Sequence, residues 1–225
     1  LSMMLCLEWA LHRGVSRVGG GMNGLDTGDP RAFRGWDDVW TAFVAQMEHM
    51  VAQVADRAVE TRDSRATIAP VPLLSALIDG AVEQRRDMTM GGARYRTYGM
   101  LAEGAAHAID SLVAIKRVIC EEGAASFAEL CDALDADFSG YEPLRARLLA
   151  APKYGNDDPY ADAVGQAMID AFTDCVARHA RRYADDLTFP AGVATFSWYV
   201  GIGQGLGASA DGRLAGQPVS SNFSP

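Results

Sequence analysis

A glycine cluster near the C-terminus has the residue types and spacing of a phosphate-binding loop. Residues Gly203 to Ala208 match G-x-G-x-x-A, the pattern whose backbone amides hold a dinucleotide pyrophosphate between a strand and a helix. That chemistry also needs a helix after the glycines and an acidic residue about 20 positions later. Asp211-Gly212 favours a turn, and no Asp or Glu follows Asp211. An NAD-dependent dehydrogenase is therefore the last of three functional alternatives.

A second interpretation of the same glycines is a loop that packs closely against other backbone. Gly203, Gly205 and Gly207 would then mark positions where a side chain would collide or where φ must be positive. The dipeptide after Ala210 would form the tip of a tight turn. Arg213 would hold the loop in place through its planar set of donors.

The thiol and imidazole side chains do not form a recognisable site. None of the cysteines belongs to a C-x-x-C pair, and none has a histidine at the spacing of zinc ligands. We therefore predict buried thiols, no metal site and no catalytic residue in this chain. The residues concerned are Cys6, Cys120, Cys131, Cys175, His12, His49, His107 and His179.

Helices must position most of these groups, because apolar residues recur at helical spacing along much of the chain. Asp37, Ser126 and either Asp157 or Asp158 are suited to cap three of the helices. The predicted helices cover 1–13, 36–62, 73–86, 105–122, 127–134, 141–149 and 160–184. The predicted extended segments are 91–99 and 194–202, and 203–225 is predicted to be a loop. Strands joined by long helical crossovers indicate an α/β fold with parallel strands.

Six short motifs follow one another in the order in which glycyl radical enzymes carry them. They are Thr27-Gly28-Asp29-Pro30, Ser75-Ala76-Leu77, Gly91-Gly92-Ala93-Arg94-Tyr95, Asp110-Ser111-Leu112 with Ala114-Ile115-Lys116, Pro152-Lys153-Tyr154-Gly155-Asn156-Asp157-Asp158, and Gly207 through Pro218 closing on Phe223-Ser224-Pro225. The sequence therefore resembles this family, which includes pyruvate formate-lyase, diol dehydratases, choline trimethylamine-lyase, arylacetate decarboxylases and arylsuccinate synthases.

The resemblance implies a helix-rich α/β fold, namely part of a ten-stranded α/β barrel made of two five-stranded half-barrels with helical crossovers. Residues 1–225 would form the central part of one catalytic domain, truncated at both ends. The family's catalytic thiol lies in a G-C-x-E loop just before the helix that residues 1–13 resemble. Its radical glycine lies in an R-V-x-G-[YF] motif beyond Pro225. Neither motif occurs here, and Cys120-Glu121-Glu122 lacks the preceding glycine.

The resemblance also implies an activity. This is anaerobic radical cleavage or formation of a C–C, C–O or C–N bond in a small organic substrate by a lyase, dehydratase or decarboxylase. The segment itself would bind no cofactor. An activating enzyme that uses S-adenosylmethionine and an iron–sulfur cluster would install the glycyl radical in the full-length protein, which is expected to be a cytoplasmic homodimer. A barrel without the radical loops, acting as a binding scaffold, is the second alternative.

Three aromatic residues are the candidate substrate contacts. Alternation along a strand at 194–202 would place Phe196 and Trp198 on one face, and Tyr95 lies in the other extended segment. An aromatic lining would suit an arene substrate such as an arylacetate. Alternatively, Trp198 packs against an outer helix, since large aromatic side chains mostly belong to cores. Arg96 stands where the family often has asparagine, and it would either lie at the barrel rim or bind a substrate carboxylate.

Composition and charge disfavour several other classes of protein. The hydrophobic fraction is 49%, which is typical of a globular chain. The net charge is −9 and no block of Lys and Arg occurs, so a nucleic-acid groove is not expected. No apolar run is long enough to cross a bilayer, and no signal peptide is recognised; the opening residues resemble an amphipathic helix.

Overall fold

The computed structural model describes residues 1–183, 187–193 and 198–221. The chain divides into two compact units: unit one contains Leu1–Met50, Leu101–Phe172 and Val193–Pro225, and unit two contains Val51–Met100 and Thr173–Gly192. The helices are α1 (Met3–Leu11), α2 (Trp36–Ile68), α3 (Pro72–Ser75), α4 (Ala105–Ala114), α5 (Phe127–Asp135), α6 (Glu142–Leu149), α7 (Pro159–Ala180) and α8 (Tyr199–Gln204). The strands β1 (Met100–Ala102) and β2 (Ala191–Val193) form a small two-stranded sheet.

Unit one is built around α1 and α4, which pack against each other. The side chain of Ser2 accepts a hydrogen bond from the backbone N–H of Leu5 at 3.2 Å and so caps α1. Helix α4 continues into a π-helix over Ile115–Glu121, an uncommon form that often lies near functional sites. Ile109 and Leu112 of α4 are fully buried, so this helix supplies much of the core of unit one.

Two of the predicted helix caps are confirmed. Ser126 and Glu129 form a reciprocal capping box at the start of α5, which satisfies two backbone donors that the helix leaves unpaired. Asp158 accepts a hydrogen bond from the N–H of Tyr160 at 2.9 Å at the start of α7. These local signals fix where α5 and α7 begin.

The sheet is parallel, and its pairing begins before the strands themselves. Thr97 and Thr188 form a parallel bridge, and the N–H groups of Tyr98 and Met100 donate to the carbonyl oxygens of Thr188 and Pro190, each at 2.9 Å. The extended segment predicted at 91–99 therefore lies a few residues further along the chain. Parallel pairing agrees with the α/β prediction; a ten-stranded barrel is not seen in the described residues and stays a prediction.

Two sequence predictions about elements are wrong. The helix predicted at 73–86 is limited to Pro72–Ser75 and is followed by turns. The strand predicted at 194–202 is wrong at its C-terminal end, because Tyr199–Gln204 is α8, in which the N–H of Ile202 donates to the carbonyl oxygen of Trp198 at 2.8 Å. Its residues 194–197, including Phe196, lie outside the described residues.

Membrane spanning was tested on the described helices. None of them has both the length and the apolar character that a bilayer crossing requires.

Candidate functional site

Residues Gly207 to Arg213 form a buried loop in unit one. Ala210 is fully buried, and Asp211 and Arg213 expose only 6% and 5% of their surface. At the tip, the N–H of Gly212 donates to the carbonyl oxygen of Ser209 at 2.9 Å, and Gly212 has a φ of +95°. That dihedral favours glycine. The tight turn predicted at this position is therefore confirmed.

Arg213 fastens the loop by donating along its whole guanidinium group. Its Nε donates to the Ser209 Oγ at 3.1 Å, and its Nη1 donates to the carbonyl oxygens of Leu214 at 2.9 Å and Gln217 at 2.7 Å. Its Nη2 donates to the carbonyl oxygen of Gly207. A planar fork with five donors suits this convergence of acceptors. The role predicted for Arg213 is therefore confirmed.

Glu8 ties the same loop to α1. Its Oε2 accepts a hydrogen bond from the N–H of Gly207 at 2.7 Å, and its Oε1 accepts one from the N–H of Arg17 at 2.9 Å. Only 7% of Glu8 is exposed. Both carboxylate oxygens are thus satisfied by backbone donors, which offsets the cost of burying the charge.

Asp211 connects the loop to α4. Its N–H donates to the Ser111 Oγ at 3.2 Å, and its Oδ1 accepts from the Ser209 hydroxyl at 2.5 Å. His107 Nδ1 accepts from the N–H of Ser220 at 3.0 Å, so the neutral ring carries its proton on Nε2, which lies 3.5 Å from the Asp211 Oδ2. Burial lowers the pKa of His107, while the charge of Asp211 opposes that shift.

Asp110 and Lys153 are buried ionisable groups beside this loop. The Asp110 Oδ1 accepts a hydrogen bond from the N–H of Tyr154 at 2.8 Å, yet burial raises the pKa of Asp110 to about 6. Lys153 Nζ donates to the carbonyl oxygens of Leu148 and Ala151 at 3.0 and 3.1 Å. Burial lowers the pKa of Lys153 as well. The P-K-Y-G motif is therefore joined to the D-S-L motif by a backbone hydrogen bond.

These contacts define a loop-anchoring cluster, by which we mean Glu8, His107, Asp110, Ser111, Lys153, Asp211 and Arg213. Its polar atoms bind backbone groups or one another, and the cavity beside Glu8 and Arg213 holds only about 10 Å³, enough for about one water molecule. The cluster therefore positions a loop and does not present a reacting group to a ligand.

The glycines around this loop were predicted to allow close backbone contact. A Cβ on Gly203 would lie 2.1 Å from the carbonyl oxygen of Gln217, and one on Gly207 would lie 2.9 Å from the Arg17 side chain. These two predictions are confirmed. The one for Gly205 is wrong, because its nearest contact would be 3.4 Å away and its φ is negative.

The glycine cluster lies at the end of a helix and not between a strand and a helix. Gly203 belongs to α8, and Gly205 is its C-terminal cap. The N-terminal end of a helix is what supplies donors to a pyrophosphate. The order of elements therefore gives no support to the dehydrogenase alternative.

Two of the predicted substrate contacts are exposed on this chain. Tyr95 is 76% exposed and lines a cavity of about 330 Å³ in unit two, whereas Trp198 is 68% exposed in unit one. Trp198 precedes α8 and does not lie on a strand, so the alternation argument does not apply to it. Its alternative, packing against an outer helix, is not seen at this exposure.

The thiols do not have the character of activated nucleophiles. Burial raises the pKa of Cys131 to about 11, and burial followed by the charge of Glu121 raises the pKa of Cys120. A reactive cysteine needs the opposite shift. Cys6, Cys131 and Cys175 are buried as predicted, and Cys120 is half-buried.

Sequence reasoning missed the roles of Glu8 and His107. The signal for Glu8 was available, since it is the one acidic residue within the apolar segment Met3–Leu11, and a buried acid requires partners. His107 gave no local signal, because its partners Asp211 and Ser220 lie about a hundred residues away in the sequence.

Comparison with known proteins gives a consistent picture. The family model described as pyruvate formate lyase-like matches residues 1–203. The trans-4-hydroxy-L-proline dehydratase of Clostridioides difficile is 32% identical over 97% of this chain and 28% of its own length. The isethionate sulfite-lyase of Oleidesulfovibrio alaskensis is 30% identical over 100% of this chain and 27% of its own length. The chain thus spans about 28% of the curated relatives it matches.

Solved structures agree with these matches. The hydroxyproline dehydratase of Clostridioides difficile, solved with trans-4-hydroxy-L-proline bound, superposes with a TM-score of 0.91 at 31% identity, over 97% of this chain and 28% of that one. A glycyl radical enzyme from Archaeoglobus fulgidus superposes with a TM-score of 0.89 at 30% identity, over 98% of this chain and 28% of that one. The architecture of both units therefore recurs in these enzymes.

Proposed function

The chain belongs to the pyruvate formate lyase-like family of glycyl radical enzymes, and from this premise we propose that it is the central part of a radical lyase or dehydratase. The observation that carries the proposal is the TM-score of 0.91 with hydroxyproline dehydratase over 97% of the chain. In that interpretation the chain contributes architecture, and the G-C-x-E thiol loop and the glycyl radical motif belong to neighbouring parts of a longer polypeptide.

The loop-anchoring cluster supports this division of labour. Radical intermediates are quenched by water-borne oxidants and stray hydrogen donors, so their site must be enclosed by rigid walls. Glu8, Asp211 and Arg213 hold Gly207 to Arg213 with buried, charge-assisted hydrogen bonds, which are stronger than neutral ones. We propose that this loop is one wall of the ten-stranded barrel in the complete protein.

We propose a small hydroxylated acid as the substrate class. The two relatives compared by name act on trans-4-hydroxy-L-proline and isethionate, and each of these compounds carries a hydroxyl and an acidic group. The expected preference for an arene has no support, because its strand geometry fails at Trp198 and neither of these substrates is aromatic. The bond that is cleaved would be C–O, C–S or C–N.

Tyr95, Phe196 and Trp198 stay proposed as substrate contacts in the complete protein. Tyr95 and Trp198 are exposed on this chain, and the chain spans only 28% of the relatives' length, so further polypeptide is available to enclose each of them. The proposed partners are the radical-activating enzyme, with S-adenosylmethionine and an iron–sulfur cluster, and a second subunit. A cytoplasmic location is part of the same proposal.

The test is a substrate panel on the full-length protein. The reading frame that encodes residues 1–225 is expressed anaerobically with its activating enzyme and offered trans-4-hydroxy-L-proline, isethionate, glycerol and phenylacetate, with products measured by mass spectrometry. Turnover of a hydroxylated substrate is expected. Turnover of phenylacetate alone would contradict the substrate class. A reading frame without the two radical motifs, and without turnover, would leave the binding scaffold as the function.

A further inference from the structure

A solvent-connected cavity of about 330 Å³ lies wholly within unit two. Its size falls within the range of small-molecule sites, roughly 300 to 1,000 Å³. The loop-anchoring cluster lies in unit one and contributes nothing to it. The lining is polar and cationic, which distinguishes it from the mostly apolar pockets that bind neutral ligands.

Three arginines line the cavity. Arg62 and Arg65 come from α2, three residues apart and therefore on one face of that helix. Arg96 comes from the segment that leads into β1. Each guanidinium has five N–H donors, so it can keep a partner within the protein and still donate to a ligand. Such planar forks bind carboxylate, sulfonate and phosphate oxygens in pairs.

The position of Arg96 is set by the backbone beneath it. A Cβ on Gly91 would lie 3.0 Å from the Arg96 Nη1, and Gly91 has a φ of +87°. Gly91 therefore leaves room for the guanidinium of Arg96. Thr89, which is buried, and Tyr98, which is half-buried, line the same cavity and carry hydroxyl groups able to donate to an anion.

The charge of the surrounding unit also favours an anion. Unit two has ten arginines and nine acidic residues, whereas the rest of the chain has ten basic and twenty acidic residues. An anion that approaches unit two therefore avoids the repulsion expected from the strongly acidic part of the sequence. The nearby Asp87 is occupied, since its carboxylate accepts from the backbone N–H groups of Val71 and Thr89.

We propose that this cavity binds the oxyanion group of a small molecule through Arg62, Arg65 and Arg96. The ligand class is a compound with a carboxylate, sulfonate or phosphate group, held by paired N–H···O contacts and flanked by the Tyr95 and Tyr98 rings. Binding requires no radical, so the inference does not depend on the proposed enzyme activity and can fail or succeed separately from it.

The experiment is isothermal titration of the full-length protein, without activation, at constant ionic strength held with sodium chloride. Sodium sulfate, isethionate and acetate are the three probes, and they separate sulfate-like, sulfonate and carboxylate recognition. At least one probe should bind with a saturable isotherm. Arg65→Gln and Arg96→Gln should each weaken that binding by about tenfold, the loss expected for one charge-assisted contact.

Arg57→Gln is the matched control, because Arg57 lies on the same helix, pairs with Glu60 and does not line the cavity. It should bind the probe as the unmodified protein does. Circular dichroism melting of all variants checks that folding is kept. The proposal is overturned if no probe binds, if Arg65→Gln and Arg96→Gln both bind as tightly as the unmodified protein, or if Arg57→Gln weakens binding equally.

Discussion

At the scale of single residues, buried charges in unit one are matched to backbone donors and acceptors. Arg213 satisfies the carbonyl oxygens of Gly207, Leu214 and Gln217, and Glu8 satisfies two backbone N–H groups. Removing one side of such a contact leaves a buried polar group without a partner, which costs more than the contact itself contributes. These residues should therefore be sensitive even to near-isosteric replacement.

Arg213→Gln should lower the free energy of unfolding by about 3 kcal/mol, because several carbonyl oxygens lose their donors inside the protein. Urea unfolding followed by circular dichroism measures this loss. Arg57→Gln removes an exposed pair with Glu60 and should leave the midpoint unchanged. Equal midpoints for Arg213→Gln and the unmodified protein would contradict the fastening role of Arg213.

Asp110 should make stability depend on pH in a defined direction. Burial raises the pKa of Asp110 to about 6 in the folded protein, against about 3.9 in an unfolded chain. The folded state therefore binds this proton more tightly, and stability should fall as pH rises from about 4 to 6. Asp110→Asn keeps an oxygen for the Tyr154 N–H and removes the titration.

The measurement is the difference in unfolding free energy between Asp110→Asn and the unmodified protein at several pH values. It should shift in favour of Asp110→Asn by about 2 kcal/mol between pH 4 and 6.5. His107, whose pKa is lowered by burial, titrates in both proteins, so its opposite effect cancels in the difference. A difference that is constant across this range would rule out the raised pKa.

At the scale of elements, caps were predictable and the ends of apolar segments were not. Ser126 and Asp158 carry a local signal, and the structure uses both as caps. The segment 73–86 has helical spacing, but Leu73 and Leu77 are 81% and 78% exposed, so that spacing did not report a buried face. Gly80, with a φ of +92°, lies where the predicted helix would have continued.

The strand predicted near Trp198 failed for a different reason. Aromatic and β-branched residues favour strands only weakly, and tertiary contacts override that preference. Here the end of α8 packs so closely on Gln217 that only glycine fits at position 203. The anchoring role of Glu8 was equally hidden, because its partner Gly207 lies 199 residues away. Contacts over such distances cannot be read from local spacing.

Gly203→Ala should destabilise the protein by about 2 kcal/mol or more, since the new Cβ would lie 2.1 Å from a carbonyl oxygen. Gly205→Ala is the matched control: it changes the same element, but the added Cβ would meet nothing closer than 3.4 Å. Thermal melts of the two variants should separate clearly. Similar melting temperatures would show that the close contact at position 203 is absent.

At the scale of the whole molecule, the ordered motifs identified the family, and the folded chain shows what two of them do. The D-S-L motif on α4 meets the P-K-Y-G motif through Asp110 and the glycine-rich loop through Ser111. The chain supplies no activated thiol among its described residues, and it spans about 28% of its relatives. The reacting groups are therefore proposed to lie in the polypeptide on either side.

Electron paramagnetic resonance of the activated full-length protein tests the central claim most directly. After anaerobic incubation with the activating enzyme, S-adenosylmethionine and a reductant, a doublet from a carbon-centred glycyl radical should appear, and brief exposure to air should abolish it. The same doublet should persist when Arg57 is replaced by Gln. A protein that contains residues 1–225 in its natural reading frame, receives its activating enzyme and yields no such signal would contradict the assignment as a glycyl radical enzyme.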